Sequence, residues 1–162
     1  MNYEIVELFD LSGSKASVYS VICGNDDQTL FDHFIDECDK EYETEVTKLI
    51  MRLQEMGERG VRENYVKLYE GIPGDGVCAL FDEPDQKLRL YAIRYGSGII
   101  LVGGGGHKSK ATRTWQDDVT LKKHAELMIL ISKEISRKIK LKEIIISRDG
   151  KNLEGELIFE IN

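Results

Sequence analysis

The central segment VCALFDEPDQKLRLYAIRYGSGIILVGGGG restricts the fold more than any other part of the chain. Runs rich in β-branched and aromatic residues predict strands near 76–81, 87–95 and 98–102. Turn-forming residues separate them at Asp82–Gln86 and at Gly96–Gly98. Strands that follow one another through such short turns pair in antiparallel orientation. The segment therefore predicts a three-stranded antiparallel meander.

Helices and further hairpins are predicted on either side of this meander. Residues 3–22 and 143–160 each contain two strand-like runs around a turn, which is typical of a β-hairpin. Between Phe31 and Leu53 apolar residues recur at three and four positions, so one amphipathic helix, or two with a bend, is expected. A second amphipathic helix is expected at about 119–139.

The order of these elements, ββ-αα-βββ-α-ββ, predicts the fold class. It is typical of an α+β protein, with a small antiparallel sheet and helices packed on one face. No repeat, low-complexity tract or linker interrupts the sequence, so we expect a single domain over residues 1–162. Its core would comprise about residues 29–137, with the two hairpins as extensions.

Charge is distributed unevenly along the chain. The formal net charge is −7, which by itself disfavours nucleic acid as a partner. Residues 24–83 carry 16 acidic and 6 basic residues, whereas residues 84–115 carry 1 acidic and 6 basic residues. A basic window thus lies inside an acidic chain, and it contains two of the predicted strands and the glycine run that follows them.

Several classes of site find no support in the sequence. No apolar run approaches the roughly 20 residues of a membrane span, and no signal peptide is evident, so we expect a cytoplasmic chain with no membrane partner. The cysteines are too widely spaced for a disulfide framework and are expected to be reduced. No metal or other cofactor is expected, because the histidines and cysteines lack ligand spacing. These residues are Cys23, Cys38, Cys78, His33, His107 and His124.

The glycine run Gly103–Gly106 does not fit a nucleotide-binding loop. A P-loop needs Lys and then Ser or Thr directly after Gly-x4-Gly, and a helix that begins at once. Here Gly104 stands where lysine is required after Gly98 and Gly103, and no βαβ unit supports a dinucleotide site. We instead expect a flexible strand end, where Gly104 and Gly105, which lack side chains, let a ligand approach the backbone closely.

The strand KLRLYAIRY has two faces of different composition. One face is mainly aliphatic and is expected to meet the helices; its residues are Leu88, Leu90, Ala92 and Arg94. The other face carries an arginine and two tyrosines; its residues are Arg89, Tyr91, Ile93 and Tyr95. Arginine can bind phosphates and tyrosine can stack on bases, so this face suits RNA. Ordinary cross-strand pairing is the alternative for these side chains.

A series of short motifs in this region resembles a known family. A helix pair precedes Lys67–Gly71, and Leu88–Tyr91 and Ile99–Val102 follow in the meander. Lys108 and Lys110 then stand in a glycine- and lysine-rich turn before a helix. In order and spacing the chain resembles the RelE/HigB-type toxins of the RelE/ParE superfamily, including the phage-derived HigB-like toxins. That family folds as a small antiparallel sheet with helices on one side.

The resemblance implies the toxin of a type II toxin–antitoxin system, acting as a metal-independent mRNA endoribonuclease. In that chemistry the ribose 2′-OH attacks the adjacent phosphate, so the enzyme must move protons and stabilise a charged phosphorane. Lys67 and Arg89 would stabilise the phosphate, and Lys108 would hold the backbone or transfer a proton. His107 is our candidate acid or base, because imidazole titrates near neutral pH. The implied catalytic residues are Lys67, Arg89, His107 and Lys108.

The remaining candidate residues would bind RNA. Tyr91 would stack on or orient a base, and Arg94 is a second choice because alternation turns it to the other face. The complete RNA-binding set is Tyr91, Arg94, Gly104, Gly105, Lys110 and Arg113. The alternative is a catalytically inactive RelE-fold module that binds RNA or protein. The acidic net charge favours that alternative, as does Leu80–Glu83, where the family has an arginine.

The resemblance also implies partners. These are a cognate helix-turn-helix antitoxin, commonly encoded next to the toxin, and mRNA at the ribosome. An exposed edge strand could also pair with an antitoxin segment or with a second copy of the chain, which would give a homodimer.

Overall fold

The computed structural model describes residues 1–62, 66–67, 76–81, 83, 85–108 and 119–161. Within these residues the chain forms two helices and nine strands. In chain order they are β1 Asn2–Glu7, β2 Ser17–Cys23, α1 Leu30–Arg59, β3 Val66–Lys67, β4 Val77–Leu80, β5 Leu88–Tyr95, β6 Ile99–His107, α2 Val119–Lys140, β7 Ile144–Ile146, β8 Leu153–Gly155 and β9 Ile158–Glu160. The predicted α+β class is confirmed.

Seven of the described strands form one mixed sheet, in the order β3-β4-β5-β6-β2-β1-β9. The predicted meander of β4, β5 and β6 and the N-terminal hairpin of β1 and β2 are confirmed as antiparallel pairs. The expectation of a wholly antiparallel sheet is wrong, because β2 pairs with β6 in parallel. Turn signals specify pairs between consecutive strands only, and these two strands are far apart in the sequence.

The C-terminal hairpin is confirmed in part. Strands β7 and β8 pair antiparallel in a small second sheet, and Gly150 in the connecting turn adopts a φ of 77°. Glycine suits this left-handed conformation because it has no Cβ. The next strand, β9, leaves the hairpin and pairs with β1 at the edge of the large sheet.

The two helices cover opposite faces of the large sheet, so the expected packing on one face is wrong. Leu88, Leu90 and Ala92 of β5 pack in the core that contains the buried side of α1. Tyr91 and Ile93, which alternate with them, pack in the core that contains the buried side of α2. Strands β4, β5 and β6 are buried almost throughout, as strands with helices on both faces must be.

Helix α1 has a capped N-terminus and a bend near its middle. Thr29 and Asp32 form a capping box, in which each side chain accepts a hydrogen bond from the other residue's backbone N–H. Tyr42 has non-helical dihedral angles, φ −127° and ψ 37°, so of the two expected alternatives the structure shows the helix with a bend. At the other end the Gly60 N–H donates to the carbonyl of Met56.

Candidate functional site

The glycine run lies inside the sheet as part of β6, and Gly103–Gly106 are buried. Leu90 of β5 pairs with Gly105, whereas Ala92 pairs with Val102. Gly103 and Gly104 therefore both lie opposite Tyr91, which makes the run a β-bulge. The expected flexible strand end is wrong, because this backbone is paired and covered.

Neighbouring atoms fill the space where three of these glycines would carry a side chain. A methyl group on Gly103 would overlap the Met128 side chain of α2, and one on Gly104 would lie 2.6 Å from Nδ1 of His124. A methyl group on Gly105 would overlap the backbone carbonyl of Arg89. The glycines thus allow α2 and β5 to approach β6 closely. This corrects the expected RNA contacts of Gly104 and Gly105, since protein already occupies those positions.

Arg89 and Tyr91 are also buried on the α2 side of the sheet. Their exposed fractions are 4% and 0%, so neither side chain forms the open RNA-binding face that alternation suggested. Alternation itself is confirmed, because Tyr91 and Ile93 share one core and Leu88 and Leu90 share the other. Alternation within a strand does not predict which element covers a face, and here α2 covers the face that carries Tyr91.

Arg94 lies at the opposite end of β5 from His107. It pairs with Ile100, near the β5–β6 turn, whereas Leu88 pairs with His107. The Arg94 guanidinium donates hydrogen bonds to the carbonyls of Gly96, at 2.8 Å, and Val61, at 3.4 Å. Arg94 therefore ties the turn to the segment after α1 and does not join the other candidate residues.

His107 and Lys108 are brought together at the end of β6, where β5 begins. The His107 side chain is exposed, and its ring stacks on Tyr42 with a centroid separation of 5.3 Å and an interplanar angle of 12°. The backbone N–H of Lys108 donates to the Lys87 carbonyl at 2.8 Å, and Lys108 Nζ donates to the Glu83 carbonyl at 3.1 Å. We call these residues, His107, Lys108 and Tyr42, the β6-end site.

Two residues of α1 support this site, and sequence reasoning missed their role. Tyr42 belongs to the apolar stripe of α1, but it is only partly buried and its backbone is non-helical. Glu45 Oε1 accepts the backbone N–H groups of Lys87, at 2.8 Å, and Leu88, at 3.1 Å. These bonds join the helix after the bend to the start of β5, and the sequence carries no signal for them.

The three remaining candidates cannot be placed in the site. Lys67 pairs through its backbone with Ala79 in the β3–β4 ladder, and its side chain lies outside the described residues. Lys110 and Arg113 also lie outside them. Their predicted contacts with RNA stay predictions.

Neither a metal cluster nor a reactive thiol at Cys23 or Cys38 is found among the described residues. They contain no group of three or more His, Cys, Asp or Glu side chains that could hold a metal ion. Burial raises the pKa of the Cys23 and Cys38 thiols to about 11, so both are protonated and poorly nucleophilic at neutral pH.

The other two histidines are expected to titrate in opposite directions. A hydrogen bond with the Asp26 carboxylate, at 2.6 Å, raises the pKa of His33, whereas burial lowers the pKa of His124. In an NMR titration, His33 should titrate above about pH 6.5 and His124 below it. Single His→Gln variants would assign the two signals, and the reverse order would contradict the described contacts.

The direction of each pKa shift also determines the pH range in which that histidine stabilises the folded chain. The contribution of His33 is present below its unfolded pKa of about 6.5 and is lost as pH rises through its higher folded pKa. The contribution of His124 is present above about pH 6.5 and is lost as pH falls through its lower folded pKa.

Comparison with known proteins adds no family to this description. No protein-family model matches the chain, and no curated protein and no solved structure matches it. Across the described ranges, no helix combines the length and apolar character that crossing a lipid bilayer requires.

Proposed function

We propose that the chain is the toxin component of a type II toxin–antitoxin pair and cleaves mRNA through the β6-end site. The observation that carries the proposal is the exposed His107 imidazole, stacked on Tyr42 and next to Lys108. A flat aromatic pair beside a cation is suited to a single-stranded nucleotide, which offers a base to stack and a phosphate to bind. His107 and Lys108 also lie within the basic window of residues 84–115, which contains Lys110 and Arg113.

The proposed chemistry assigns a task to each exposed group. His107 takes the proton from the ribose 2′-OH or returns one to the 5′ leaving oxygen, and Lys108 binds the phosphate as its charge increases. Lys67, Lys110 and Arg113 supply further positive charge. Arg89 pairs with Gly106, the residue before His107, so its task in this proposal is to support the strand end from within the core.

A second candidate function is an RNA- or protein-binding module without catalysis. The burial of Arg89 and Tyr91 favours it, because two of the residues assigned to RNA are enclosed in the core. The carboxylates of Glu41 and Glu45 close to Tyr42 also favour it, since negative charge repels a phosphate backbone. Cleavage products distinguish the two candidates.

Induced expression in a bacterium should arrest growth. His107→Ala and Lys108→Ala should each restore it and should lower RNA cleavage in vitro by about 100-fold, because a positioned acid, base or cation is lost. Cleaved RNA should carry 2′,3′-cyclic phosphate and 5′-hydroxyl ends, and cleavage should continue in EDTA. Sequencing of the 5′ ends and growth curves provide the measurements.

A partly buried histidine and an exposed lysine outside the β6-end site serve as controls. His33→Ala removes an imidazole from the first half of α1, and Lys133→Ala removes an ammonium group from the surface of α2. Both should leave growth arrest unchanged. Harmless expression of the wild-type chain would refute the toxin proposal. RNA binding without cleavage, unchanged by His107→Ala, would establish the second candidate instead.

A further inference from the structure

A cleft lies between α1 and the connection from β1 to β2, and none of its lining residues belongs to the β6-end site. Its volume is about 510 Å³, and both halves of the bent helix contribute to it, through Ile35 before the bend and Ile50 after it. Leu8 and Leu11 from the β1–β2 connection complete an apolar floor. The groove thus spans the bend of α1 at Tyr42.

Phe9 stands at this groove with 78% of its surface exposed to solvent. A large aromatic side chain in that position offers apolar area that the folded chain does not use. Scattered exposed apolar residues are ordinary, but Phe9 adjoins a concave apolar surface. Aromatic residues beside such a surface are typical anchors of protein interfaces.

The wall that carries Phe9 is held in place before any partner binds. The Leu8 carbonyl accepts hydrogen bonds from the backbone N–H groups of Leu11 and Ser12, and the Ser12 hydroxyl accepts one from the Val18 N–H. The backbone N–H groups of Lys15 and Ala16 donate to the Gly57 carbonyl in the last turns of α1. A groove with fixed walls loses little conformational entropy on binding.

The charge at the groove has one sign. Its described lining residues include the carboxylates of Glu7, Asp10 and Asp32 and no cationic side chain. The surrounding segment, residues 24–83, is also the acidic part of the chain. A ligand that fills this groove must therefore combine apolar groups with positive charge.

We propose that this groove binds a basic amphipathic segment of a partner protein. One apolar face of that segment covers Phe9 and the floor formed with Ile35 and Ile50, and its Lys or Arg side chains face the carboxylates at the rim. The charge complementarity and the exposed Phe9 support this occupant over a nucleic acid, which the acidic rim repels. This proposal does not depend on cleavage of RNA.

The test uses the full chain and a fluorescent amphipathic peptide of leucine and lysine, titrated by fluorescence anisotropy. Two matched peptides replace leucine by serine or lysine by glutamate. The leucine–lysine peptide should bind about tenfold or more tightly than either, because both apolar burial and charge are required. Phe9→Ala and Asp10→Lys should each weaken its binding by about tenfold.

Leu141→Ala is the matched control, because Leu141 is 57% exposed and follows α2 on the other side of the sheet. It should leave the dissociation constant of the leucine–lysine peptide unchanged. Equal binding by the Phe9→Ala and Leu141→Ala variants would overturn the proposal, as would equal binding of the three peptides. A wild-type dimer in sedimentation equilibrium that Phe9→Ala converts to monomer would also overturn it, in favour of a second copy as the occupant.

Discussion

Gly105→Ala is expected to lower the free energy of unfolding by about 3 kcal/mol, because overpacking a buried strand forces the backbone apart. The added methyl group would overlap the carbonyl of Arg89 on the paired strand, and a backbone group cannot move aside as a flexible side chain can. Urea unfolding followed by circular dichroism would measure the change. Loss of the β5–β6 ladder at this point would also shift His107, which ends the same strand.

Gly106→Ala is the matched control within the same run. The nearest atoms to its new methyl group, in Leu121 and Thr120, lie 3.9 Å away, which is ordinary van der Waals contact. Its free energy of unfolding should change by less than about 0.5 kcal/mol beyond the small strand-propensity effect. Equal effects of the two substitutions would contradict the described packing of β6.

Tyr91→Ala is expected to lower the free energy of unfolding by about 3–5 kcal/mol, the usual cost of removing a large buried aromatic side chain. Tyr91 is fully buried on the α2 side of β5, with Ile93 in the same core. Removing the ring leaves a cavity that the rigid sheet cannot close. Urea unfolding would measure the loss of stability. Because Tyr91 is buried, reduced activity of this variant would result from unfolding and not from the loss of a stacked base.

Tyr42→Ala is the complementary variant. Tyr42 is only partly buried, at the bend of α1, so its removal should cost about 1 kcal/mol or less. It should nevertheless remove the stacking partner of His107 and weaken RNA binding in the proposed site. A larger loss of stability for Tyr42→Ala than for Tyr91→Ala would show that the two tyrosines have been assigned to the wrong environments.

Patterns among neighbouring residues predicted most helices and strands, because interactions between neighbouring residues determine where these elements form. The two-residue alternation of β5 correctly separated Leu88 and Leu90 from Tyr91 and Ile93, since successive side chains in a strand point to opposite faces. The three- and four-residue spacing located α1 but left open whether the helix bends, which the structure shows it does at Tyr42. The antiparallel meander followed from turns short enough to leave no other pairing.

The candidate site was predicted in part. His107 and Lys108 do lie together, because neighbours in the sequence at a strand end remain neighbours in space. The contacts of Tyr42 and Glu45 were not predicted. Their partners lie on strands that are distant in the sequence, and a helix position alone does not identify such partners. Arg89 and Tyr91 were assigned to an open surface because a polar composition resembles an exposed face.

The amino-acid sequence by itself determined which residues form strands and helices, which side chains share a strand face, and where positive charge concentrates. Only the tertiary structure decided which faces are covered. Close packing of α2 against Gly103 and Gly104 and the pairing of β2 with β6 join residues distant along the chain. Such contacts depend on the shapes of whole surfaces, so no local periodicity encodes them.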